Sequence, residues 1–285
     1  MDVGSNYWLE NTPLDRLFCL ILIALSAAQL ACPLAARAEP HPKGFSNHPF
    51  NGKNNPVTTD GVTTFTIADK QCSKVDYGDG RGESDCFNGN IRENLIYRRE
   101  ARLNEVVSYK FDVWVDPSIA YHGYFNDHAI GFLKNGSDSR LRIASWEGQH
   151  LHNFLYMLKV DTRSGISFLG NVCQPREKFG SWVSFEMKTL WSNSNKGWIE
   201  VTCDGKVIHT AKNLATNQNP HCYITNQCEP GKKKNATRIL YILGPVMAGF
   251  GFEWKKYGMA SPFTLIQPEG ITVKMRNVSV TTTKK

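Results

Sequence analysis

Trp182 to Lys206 read WVSFEMKTLWSNSNKGWIEVTCDGK, and this stretch decides the fold. Two runs, Trp182–Leu190 and Trp198–Cys203, flank Asn193-Ser194-Asn195-Lys196-Gly197, a loop with its glycine placed late, as a hairpin turn requires. Asp204-Gly205 then makes a second tight turn into a strand over Lys206–Thr210. Outward from this pair of hairpins the same grammar repeats. Thr63–Ile67 alternates apolar and polar residues, and Val106–Val115 places Val107, Tyr109, Phe111, Val113 and Val115 on one face. Phe154–Val160 reads as a more fully buried strand, and Arg238–Leu243 and Ile271–Val280 close the chain. Frequent strands, turn signals about every ten residues and no sustained helical period predict an all-β fold, an antiparallel β-sandwich or jelly roll.

Composition agrees. Of 285 residues, 41% are hydrophobic and 21% charged, which excludes a disordered chain. The net charge is +7, and it becomes +8 if residues 1–38 are removed with their two arginines and three acids. That sign points to an anionic partner. Leu17–Ala28 is an apolar run behind Arg16, followed by Ala36-Arg37-Ala38, so residues 1–38 are expected to be a secretory signal peptide cleaved near Ala38. The segment before Arg16 is long and acidic for such a leader. Lipidation at Cys32 is the rival, but Gln29 stands where that signal wants leucine. No internal run is expected to span a membrane. The product would be secreted or periplasmic. Residues 39–61 are expected to form an extended, loosely packed N-terminal arm, and 62–285 a single β-jelly-roll domain.

Six cysteines remain beyond the leader, an even number that suits disulfides in an oxidising compartment. Short spacing pairs Cys72 with Cys86 and Cys222 with Cys228, leaving Cys173 for Cys203, one of fifteen formal pairings. A zinc site lacks any C-x-x-C to support it.

The motif W-x-x-F-x-M-x-x-x-W followed by G-W-I-E-V-x-C-D-G-K, from Trp182 to Lys206, resembles the paired strands of the heparin lyase I-like polysaccharide lyases. Gly80-Arg81-Gly82-Glu83 and Arg92-Glu93-Asn94-Leu95 resemble that family's basic–acidic strand motif. Trp254-Lys255-Lys256-Tyr257-Gly258 is similar to its Y-x-K-x-G-x-Y strand, and Lys274–Val278 to its closing strand. The likeness covers roughly residues 62–282. It implies a concanavalin A-like jelly roll that binds an acidic polysaccharide and cleaves it by β-elimination, without a metal or organic cofactor.

Such a reaction needs three things: a group that quietens the uronate carboxylate, a base for the C5 proton and an acid for the leaving O4. On a strand, Lys255 and Tyr257 would share a face, and the lysine would lower the tyrosine's pKa. Arg92 would meet the carboxylate, with Glu93 orienting it, in a basic stretch continued by Arg98, Arg99 and Arg102. His150 and His152 are candidates for acid or base. Trp146, Gln149, Asn153, Trp254 and Lys256 would line the substrate. The central strand of the family carries Gln-x-His or Gln-Trp; here Ser145-Trp146 stands in its place, with Gln149-His150 a shifted alternative. Without that glutamine, sugar binding would survive where catalysis fails, so a lectin-like protein is the alternative. A glycoside hydrolase would want two carboxylates flanking the bond, and Glu147 and Glu253 are isolated. Trp182 and Trp198 are expected in the core. A nucleic-acid partner has no motif to support it, and a monomer is expected.

Overall fold

In the computed structural model, residues 41–284 are described except 53, 69–70, 79, 81, 120–140, 149–152, 162–163, 219–235 and 248–269. The strands are β1 (Phe45–Asn47), β2 (Val57–Thr59), β3 (Val62–Ile67), β4 (Ile91–Arg92), β5 (Leu95–Tyr97), β6 (Ala101–Arg102), β7 (Glu105–Val115) and β8 (Leu141–Gly148). They continue as β9 (Asn153–Asp161), β10 (Gly165–Phe168), β11 (Asn171–Gln174), β12 (Val183–Leu190), β13 (Gly197–Cys203), β14 (Lys206–Leu214), β15 (Arg238–Met247) and β16 (Ile271–Lys284). One short helix, α1 (Asp85–Asn88), interrupts them. Among the described residues no helix is long and apolar enough to cross a membrane.

The strands form two antiparallel sheets. A nine-stranded sheet runs β1-β5-β15-β8-β9-β10-β11, with β4 and β6 also pairing along β15. A seven-stranded sheet runs β14-β13-β12-β7-β16-β3-β2. The expected β-sandwich is therefore the observed fold. The quoted hairpin is β12 against β13, in register from Phe185–Cys203 to Leu190–Trp198. Alternation on β7 buries Val107, Tyr109, Phe111, Val113 and Val115 at 0–1% exposure. Rings from the two sheets meet in the middle: Trp146 of β8 lies 5.5 Å from Tyr109 and stacks on Tyr241 at 5.2 Å, and Phe168 packs against Phe185. Burial of this apolar area is the main force holding the sheets together.

Three expectations are corrected. The stretch before residue 62 is not a loose arm, because it supplies β1 and β2, and Phe45 enters the core at 4% exposure. Trp182 and Trp198 are only half-buried. They fall on the solvent side of the alternation, where Trp182 takes the Arg276 guanidinium over its ring at 4.3 Å. The fully buried tryptophan of this hairpin is Trp191, whose indole N–H donates to the Tyr109 hydroxyl at 3.2 Å.

Two disulfides join Cys72 to Cys86, the pair its short spacing suggested, and Cys173 to Cys203, the pair expected as the remainder. The third expected pair, Cys222 and Cys228, lies outside the described residues.

Candidate functional site

The site is built on the face of the nine-stranded sheet turned away from the other sheet. On β15, Tyr241 and Leu243 point to the core, and a register shift follows between Leu243 and Val246. Gly244 occupies the shift at φ +116°, and a Cβ there would stand 2.6 Å from both the Glu93 carbonyl oxygen and the Phe65 ring. Only glycine fits such a position. Next to it, the Pro245 carbonyl accepts the Glu93 backbone N–H at 3.1 Å and the Asn94 side-chain amide at 3.0 Å. The bulge thereby fixes β4 beside Val246, with Arg92 directly opposite. On the other side of β15, Arg142 of β8 pairs with the same Val246, and Lys159 of β9 pairs with Arg142. Arg92, Val246, Arg142 and Lys159 therefore form one row across four strands. Residues paired across an antiparallel ladder share a face.

Arg92 is fixed from its own side of the row. Its Nη2 donates to Asp85 Oδ1 at 2.6 Å, and Nε lies 2.5 Å from Oδ2. Asp85 is fully buried as the first residue of α1 and also accepts from the Tyr77 hydroxyl at 2.6 Å and the Asn90 amide at 3.2 Å. Ser84 caps this helix, and the Cys72–Cys86 disulfide ties it down. Burial alone would lower the Arg92 pKa, but Asp85 outweighs it and raises it. Tyr77 is pushed up to about 12 by burial and by its bond to Asp85. His48, buried beside Arg92, is pulled down to about 3 by burial and by that guanidinium. Its Nδ1 accepts the Phe50 backbone N–H at 3.2 Å, which assigns the ring proton to Nε2. The ring is thus a neutral donor at working pH.

Arg142 is surrounded differently. It is 9% exposed, with its guanidinium 3.8 Å from the Phe154 ring centroid and its Nη1 3.9 Å from the Met157 sulfur. Its Nε has no hydrogen-bond partner. Burial pulls its pKa down to about 10, still charged at neutral pH. Lys159 is half-buried and lowered by burial and by Arg142. Ser145 and Glu147 occupy the same face of β8, the serine hydroxyl donating to Glu147 Oε1 at 3.0 Å.

Of the residues singled out from sequence, Arg92 stands in this cluster. Glu93 does not orient it. As the next residue along, it points the other way, and its Oε2 accepts the Thr66 backbone N–H at 2.6 Å on the opposite sheet. Glu93 is 4% exposed, so it lines no substrate surface. Trp146 is not a sugar platform either, being 0% exposed between Tyr109 and Tyr241. Asn153 begins β9. Arg99 is engaged with Glu105 at 2.7 Å. Gln149, His150, His152, Trp254, Lys255, Lys256 and Tyr257 lie outside the described residues. Asp85, Tyr77, His48, Arg142 and Lys159 were not picked out from sequence. The signal for Arg142 and Lys159 was present, a basic residue flanked by apolar neighbours within each strand.

No family model matches the chain, and no curated protein sequence matches it. Several solved structures are similar in fold. An endo-β-1,4-glucuronan lyase from the fungus Trichoderma reesei is 13% identical with a TM-score of 0.47, covering 89% of this chain and 92% of that one. A marine alginate lyase from Zobellia galactanivorans is 11% identical with a TM-score of 0.44, covering 85% and 86%. The carbohydrate recognition domain of Emp46p is 10% identical with a TM-score of 0.38, covering 86% and 93%. These scores describe a common arrangement of sheets and carry nothing about this chain's chemistry.

Proposed function

We propose that the chain is an exported polysaccharide lyase that cleaves a uronate-containing acidic polysaccharide by β-elimination. The observation that carries this reading is the Arg92 guanidinium, held on the outer sheet face by a buried carboxylate. Asp85 accepts from Nη2 and lies within ion-pair distance of Nε, and a sugar carboxylate is the partner this reading assigns to the rest of the guanidinium. Stabilising the charge that develops on that carboxylate acidifies the C5 proton. A base removes the proton, its electron pair forms the C4–C5 double bond, the C4–O4 bond breaks, and an acid protonates O4. Burial raises the pKa of Tyr77, Tyr109 and Tyr241, which disqualifies them as bases. Tyr257 with Lys255 remains the proposed base, and His150 or His152 the proposed acid. The two disulfides are consistent with export. The test is ultraviolet absorbance of a 4,5-unsaturated uronate on incubation with uronic-acid polymers, repeated with Tyr257→Phe, which should bind polymer and release no product.

One observation favours the binding-only alternative. Ser145, where the resemblance asks for a glutamine, has a short hydroxyl that is already donated to Glu147. Salt-sensitive binding with no unsaturated product from any polymer would select that reading.

A further inference from the structure

The outer face of the seven-stranded sheet carries a row of its own. Val57 of β2 pairs with Thr64 of β3, Thr64 with Lys274 of β16, and Lys274 with Trp114 of β7. Trp182, one residue before β12, extends the Val183–Val113 pair and so stands next to Trp114. All five fall on the solvent side of the alternation: Val57 is 56% exposed, and the other four are half-buried. Five neighbouring strands make the row about 19 Å long. The charge at its tryptophan end is positive and incompletely matched. Lys274 Nζ lies 4.7 Å from the Trp114 centroid, and the Arg276 guanidinium 4.3 Å from that of Trp182. Asp112, beside them, is already taken by Arg276 Nε at 3.2 Å, the Asn277 amide at 2.7 Å and the Ser184 hydroxyl at 2.6 Å. Among the described residues no carboxylate pairs with Lys274. A cation over an exposed ring is a weak contact, so an arriving anion draws Lys274 off Trp114 and bares the indole.

We propose that this row is a second polysaccharide-binding face, on the sheet opposite the candidate site, for an anionic sugar chain lying across the strands. The C–H groups of sugar rings stack on the negative faces of Trp114 and Trp182. Thr64 bonds a sugar hydroxyl, and Lys274 pairs with one acid group. Charge complementarity names the occupant. Two indoles alone would suit a neutral sugar, whereas an unmatched lysine between Thr64 and Trp114 asks for an acid on the chain that crosses it. The inference goes beyond the reading above and takes from it only the class of polymer. Two faces on one domain hold a long polymer by effective concentration, with no new contact where cleavage is proposed.

The test uses the full chain with a glucuronate homopolymer and, as control, an uncharged glucan. Lysine acetylation read by mass spectrometry needs no variant: the homopolymer should slow labelling of Lys274 by about fivefold or more, and the glucan should leave it unchanged. Trp114→Ala and Lys274→Gln should each weaken homopolymer binding by about fivefold. Turnover of a short uronate oligomer, which one face suffices to hold, should stay at the parent rate in both. Lys274→Gln keeps both indoles, so it carries the test if Trp114→Ala fails to fold. Equal labelling with and without homopolymer, or parent affinity in both variants, overturns the second face. Equal shielding by the glucan overturns its anionic ligand. If unsaturated product forms while Lys274 stays unshielded, the face fails and the lyase reading stands. If Lys274 is shielded and no polymer yields product, the face stands and the lyase reading fails.

Discussion

Arg92 and Arg142 face the same residue, Val246, from the two sides of β15. The spacing of their Cα atoms is therefore set by the backbone hydrogen bonds of the sheet. The bulge at Gly244-Pro245 makes this possible, since it turns Val246 to the outer face and holds β4 through the Pro245 carbonyl.

Asp85 is the residue on which that geometry most depends. Asp85→Asn leaves the Arg92 guanidinium without its buried counter-charge and weakens the bonds from Tyr77 and Asn90. It should cost about 3 kcal/mol in urea unfolding and lower polymer affinity, although Asp85 itself touches no substrate.

The Cys72–Cys86 bridge closes a loop whose ends are 14 residues apart and anchors the helix that begins with Asp85. Replacing both cysteines by serine should cost about 3 kcal/mol. It should also raise KM for an acidic polymer. The same replacement of Cys173 and Cys203, which join β11 to β13 away from Arg92, should lower stability with KM unchanged.

Glu93 supplies a pH dependence. Burial raises its pKa from 4.5 to about 7, with the Thr66 N–H bond opposing. Between those values the folded chain holds a proton that the unfolded chain has released, so stability falls as pH rises through that window. Glu93→Gln should remove this slope. Compared with the parent chain, the variant should gain about 1–3 kcal/mol between about pH 4 and pH 8, measured by urea unfolding at each.

Trp146 separates a core role from a binding role. Trp146→Phe should lose about 2 kcal/mol of stability, because the ring stacks on Tyr241 and meets Tyr109. KM for the polysaccharide should not change. A raised KM at unchanged stability would return Trp146 to the sugar surface.

The fold was largely legible because alternation has a direct physical cause. Val107 to Val115 bury every second side chain, and β7 is where it was expected. The disulfide Cys72–Cys86 was legible from its short spacing, and Cys173–Cys203 only as the pair left over. Tryptophans were misread because residue type does not say which face of a strand a ring takes. Trp182 and Trp198 fall on the outer alternation, while Trp146 and Trp191 fall inside. The site was only partly legible. Arg92 was visible in its motif, but its partner Asp85 was hidden in a disulfide-bound helix seven residues upstream. Arg142 and Lys159 become one feature only when β8 and β9 pair, which is register information that no single strand contains.

The most direct test of the central claim is one incubation series: the purified chain with homopolymeric and alternating uronates, followed by ultraviolet absorbance of the unsaturated uronate, for the parent chain and Arg92→Gln. The account predicts rising absorbance with a uronate polymer that is lost in the variant. Absorbance that stays flat on every polymer, or that rises equally in Arg92→Gln, would contradict it.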